Sequence, residues 1–83
     1  MPMPSWFGFL RLEADLAMTF IGIALAASTS DPQKSARNSG HAHKALAEIQ
    51  RGLAEPAYHG LSEDEVAFLE QRRAEIEVSL AKL

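Results

Sequence analysis

Apolar residues recur along this 83-residue chain at helical spacing in three stretches, with no segment that alternates at a strand's period of two. The first stretch predicts a helix from about Trp6 to Ala27, with Ser5 as its N-cap after an extended Met-Pro-Met-Pro lead. Asp31-Pro32 marks the start of a second helix that continues to about Ala54. Asp accepts from free first-turn amides, and Pro at the first helical position gives up no needed donor. Glu55 to Gly60 reads as a loop. Ser62 with Glu65 three residues later then forms a capping box, and Leu61 with Val66 can form a hydrophobic staple. The third helix should reach about Lys82. Short connections favour antiparallel neighbours, so the expected fold is all-α, a single-domain up-down-up three-helix bundle over residues 1–83. Its helices cover about 6–27, 31–54 and 62–82.

The three helices differ in how much of their circumference is apolar. In the third, Val66, Leu69, Ile76, Leu80 and Leu83 make one narrow stripe. In the second, Ser35, Asn38, Ala42, Leu46, Ile49 and Leu53 share a face that is bulky only in its second half. Its small first half lets another helix approach closely.

The first helix carries two stripes. Phe9, Leu12, Leu16, Phe20, Ile23 and Ala27 form one; Phe7, Leu10, Ala14, Met18, Ile21 and Leu25 form another, nearly opposite. Together they span about 240° of the helix, against roughly 100° for an ordinary surface helix. Two partner helices cover about half of it. Leaving four large side chains of the second stripe in water forgoes about 1.5–3 kcal/mol each. A second copy of the chain is the simplest cover, and the expectation is a homodimer paired through the first helix. Trp6, Phe7, Leu10, Met18, Ile21 and Leu25 are the expected contact residues, and the bundle is completed by that dimerisation.

Composition narrows the chemistry. There is no Cys, which removes disulfides, thiolate nucleophiles and zinc sites built on sulfur. The net charge is −3, with Arg72, Arg73 and Lys82 set against six carboxylates after Gly60. No segment is basic enough for general phosphate binding, so nucleic acid is not an expected partner. The cationic face of the second helix, Lys34, Arg37, His41, Lys44 and Arg51, is expected to pair with the acidic third helix.

The uncharged run from Leu16 to Ala27 has 12 residues, too few for the roughly 20 of a spanning helix. Glu13 and Asp15 precede it where a signal peptide would be positive, so a cytoplasmic protein is expected.

Candidate catalytic and metal groups do not converge. His41 and His43, two apart on a helix, point about 200° away from each other and cannot share one ion. Glu13 and Asp15 are likewise too close in sequence to meet as an acid/base pair, and no nucleophile–base pattern or Gly-rich phosphate loop occurs. No cofactor, metal or catalytic residue is expected.

Two helices joined around Asp31-Pro32 resemble the tetratricopeptide-type hairpin in architecture. Ile21-Gly22 stands where that repeat has Leu-Gly, but Met18 replaces its Trp and Leu25 its Tyr. One repeat cannot stack into an array, and the resemblance implies nothing about functional residues. The expected function is a non-catalytic protein–protein interaction or scaffold module. The alternative is a helical module holding a small apolar ligand or lipid in a pocket lined by the first helix.

Overall fold

The computed structural model describes residues 5–83 and is all-helical over them, with α1 (Trp6–Ala27), α2 (Pro32–Ala54) and α3 (Glu63–Leu80). The expected Met-Pro-Met-Pro lead lies outside the described residues. Each helix starts on a side-chain cap. Ser5 Oγ accepts from the Gly8 amide at 3.1 Å, and Asp31 Oδ1 accepts from the Lys34 amide at 3.0 Å. At Ser62 both halves of the capping box form, its hydroxyl accepting from the Glu65 amide and Glu65 Oε1 from the Ser62 amide. Each such cap contributes about 1 kcal/mol. After α2, the chain turns through Pro56 and reverses at Gly60, whose φ of 68° lies in the left-handed region that favours glycine.

Contacts between helices give the up-down-up order. α2 runs antiparallel to α1: Ser35 near its start donates to the Ala24 carbonyl at 2.8 Å, and Gly52 near its end lies against Leu10. α3 returns parallel to α1, with Phe68 edge-on to Phe7 near its start and Arg72 bonded to Asp15 further along.

The α1–α2 seam is built from small residues. Ala14, Ala17, Ala24 and Ala27 of α1 are buried, as are Ala42, Ala45 and Gly52 of α2. Short side chains on both sides bring the helix axes together, and bulk is confined to a few sites where it fits. Leu10 sits over Gly52, while Ile21, Leu46, Ile49 and, from α3, Ile76 fill the centre. Leu69 is also fully buried.

Two glycines of α2 therefore differ in meaning. A Cβ at Gly40 meets nothing, whereas one at Gly52 collides with Leu10, which is completely buried. Gly40→Ala is expected to raise unfolding stability by about 0.5–1 kcal/mol through helix propensity alone. Gly52→Val is expected to lower it by about 1–3 kcal/mol by overpacking the seam. Urea unfolding followed by circular dichroism checks both.

Candidate functional site

Because the seam takes the alanine side of α1, one of its two bulky stripes stays outside. It is the stripe expected to pack inward. Leu12 is 55% exposed, Phe9 and Leu16 are 37% exposed, and Phe20 and Ile23 are half-buried. These five side chains run along one flank of α1 beside α2, the flank turned away from α3. At its upper end, Phe20 lies 5.1 Å from the His41 ring, and Ile23 borders a shallow hollow with Lys34 of α2. At its lower end, Phe9 meets Trp6 edge-on at 5.7 Å, and Trp6 packs at 4.5 Å on His59 of the α2–α3 loop. An apolar strip thus extends from Trp6 to Ile23, with the half-buried Glu13 at its edge.

The contact residues expected from the sequence divide. Leu10 and Ile21 are 0% and 2% exposed and belong to the chain's own core, so they cannot line a surface. The reason is steric: the small residues of α2 leave room for Leu10 and Ile21 among alanines, but not for a stripe holding two phenylalanines. Phe7 is half-buried against Phe68 of α3. Met18 is half-buried in an open groove with Ala74, Glu75 and Val78 of α3. Leu25, 41% exposed, sits beyond that groove, and Trp6, 48% exposed, joins the open strip. Both apolar faces of α1 follow from its helical spacing; which face the seam takes depends on the alanines between the bulky residues.

The electrostatics also differ from expectation. Two acids of α3 pair with arginines of the same helix: Arg72 reaches Glu75 at 2.7 Å, and Arg73 lies 3.8 Å from Glu77. Arg72 also bridges to Asp15 of α1 at 3.1 Å. Within α2, Arg51 pairs with Glu48 at 3.2 Å. No ion pair joins α2 to α3 among the described residues; the link there is a 3.5 Å hydrogen bond from the Gln50 amide to Glu77. Lys34, His41 and their neighbours lie on the flank of α2 beside the apolar strip, while α3 packs on the other flank, out of their reach.

Among the described residues, no three His, Asp or Glu side chains gather to hold a metal ion, and no helix is long and apolar enough to cross a membrane. Glu13 is half-buried on the edge of α1. Among the described residues, the hollow at Met18 and the hollow at Ile23 are open to solvent rather than enclosed.

The division of α1 into core and open residues can be read energetically. Leu10→Ala and Ile21→Ala are each expected to cost about 2–5 kcal/mol of unfolding stability. Leu12→Ala, measured at low protein concentration, should cost less than about 1 kcal/mol.

Comparison with protein-family models, with curated proteins and with solved structures gives no match for this chain.

Proposed function

We propose that this chain is a non-catalytic interaction module that self-associates as a homodimer through the open apolar strip of α1. The observation that carries this reading is the strip itself. Phe9, Leu12, Leu16, Phe20 and Ile23 form an apolar strip, bordered by Glu13, on a helix whose alanine side is already buried. Contiguous apolar surface on a small soluble chain marks an interaction site, and aromatic anchors such as Trp6 and Phe9 are enriched at the centres of such sites. Burial of the strip also supplies what an 83-residue, disulfide-free domain lacks, a larger shared core.

Charge placed in the strip tests the reading. The double variant Leu12→Glu, Leu16→Glu should convert a dimer to a 9.1 kDa monomer by light scattering, with its helical circular dichroism retained. Leu25→Glu, on the opposite flank, should leave the dimer intact. Because the contact is apolar, the dimer mass should hold from about 0.05 to about 0.5 M salt. Persistence of the dimer in the double glutamate variant would overturn the assignment of the strip. Loss of the dimer at high salt would move the contact to the cationic flank of α2.

A further inference from the structure

The spacing of the strip carries more than its exposure. Beyond Trp6, whose mirror position is the small Ala26, its large residues stand at 9, 12, 16, 20 and 23, with steps of three, four, four and three. That pattern is symmetric about Leu16. A two-fold axis perpendicular to a helix pairs each height with its mirror height on the mate, so an apolar strip matches itself only where its large positions are mirror-symmetric. Here Phe9 falls opposite the partner's Ile23, Leu12 opposite the partner's Phe20, and Leu16 opposite its own copy.

Resting on the self-association proposed above, we infer that two copies pair their α1 helices antiparallel, with the two-fold axis at Leu16. The antiparallel register sets each aromatic ring against a smaller aliphatic side chain. A parallel pair would instead stack Phe9 on Phe9 and Phe20 on Phe20, spreading the helices where the rings meet and leaving gaps at Leu12 and Leu16. Antiparallel helices also oppose their macrodipoles, which adds a small attraction. The five positions carry no charge, so none is desolvated without a partner. On the flank of the strip that faces away from α2, Gly8, Thr19, Gly22 and Ala26 are small and exposed and let the second backbone come close, while Asp15 among them is neutralised by its pair with Arg72.

From Phe9 to Ile23 the strip runs about 21 Å along the helix. A contact of that length, extended at its ends by Trp6, is smaller than the roughly 800 Å² on each copy of a standard interface and belongs to the transient rather than the obligate class.

The chain has no cysteine, so single cysteines report the register without interference. The test uses the full chain under mild oxidation, with the helical signal of each variant checked first. Leu16→Cys should form a disulfide-linked dimer rapidly, since its copies meet at the axis. Leu12→Cys alone should not, because its copies stand about 12 Å apart along the helices, beyond disulfide reach. Mixing Leu12→Cys with Phe20→Cys chains should yield the cross-linked heterodimer roughly tenfold faster than either alone. Equal self-linking at Leu12, Leu16 and Phe20 would replace this register with a parallel one. A dimer by mass that links at none of these positions would remove the strip from the interface. An unmodified chain that stays at 9.1 kDa would refute self-association itself, whatever the register.

Discussion

A seam of small side chains between α1 and α2 decides the rest of this molecule. Ala14, Ala17, Ala24 and Ala27 of α1 and Ala42, Ala45 and Gly52 of α2 are all buried, and Gly52 lies against Leu10. Small residues on both sides let the helices approach closely enough that dispersion contacts are made along their whole shared length. Once that side of α1 is used, its bulkiest stripe has to lie elsewhere. α3 closes one flank with its own Ile76 and Leu69, and it reaches α1 through Phe68 and Arg72. The other flank, with Phe9, Leu12 and Leu16, is left open.

The sequence made the helices legible because their boundaries are chemical. Ser5, Asp31-Pro32 and the Ser62–Glu65 box each satisfy specific backbone amides, and those bonds appear where the spacing puts them. The excess of apolar surface on α1 was legible too, since it follows from counting residues at 100° intervals. The facing was not. Ranking stripes by bulk sends phenylalanine and leucine inward, whereas complementarity with α2 selects alanine, and the deciding residues sit on both helices at once. Gly52 shows the same limit. In sequence it is one glycine in a helix; in space it is the hollow that holds Leu10.

Charge follows packing rather than composition. The acidic balance of α3 suggests a cationic neighbour, yet Arg72 and Arg73 lie within reach on the same helix, and one-turn pairs form with no tertiary constraint. The cations at the start of α2 consequently border the apolar strip instead of the acids of α3. Exposed pairs of this kind contribute about 0–1 kcal/mol. They tune the surface around the strip, and in the proposed dimer the apolar area supplies the free energy of association.

Sedimentation equilibrium of the unaltered chain most directly tests whether α1 carries more apolar surface than its own fold can shelter. Between about 1 and about 300 µM, the account predicts a weight-average mass that climbs from one chain toward two and levels there. A mass fixed at 9.1 kDa across that range would contradict it, because the strip would then stand in water unaided.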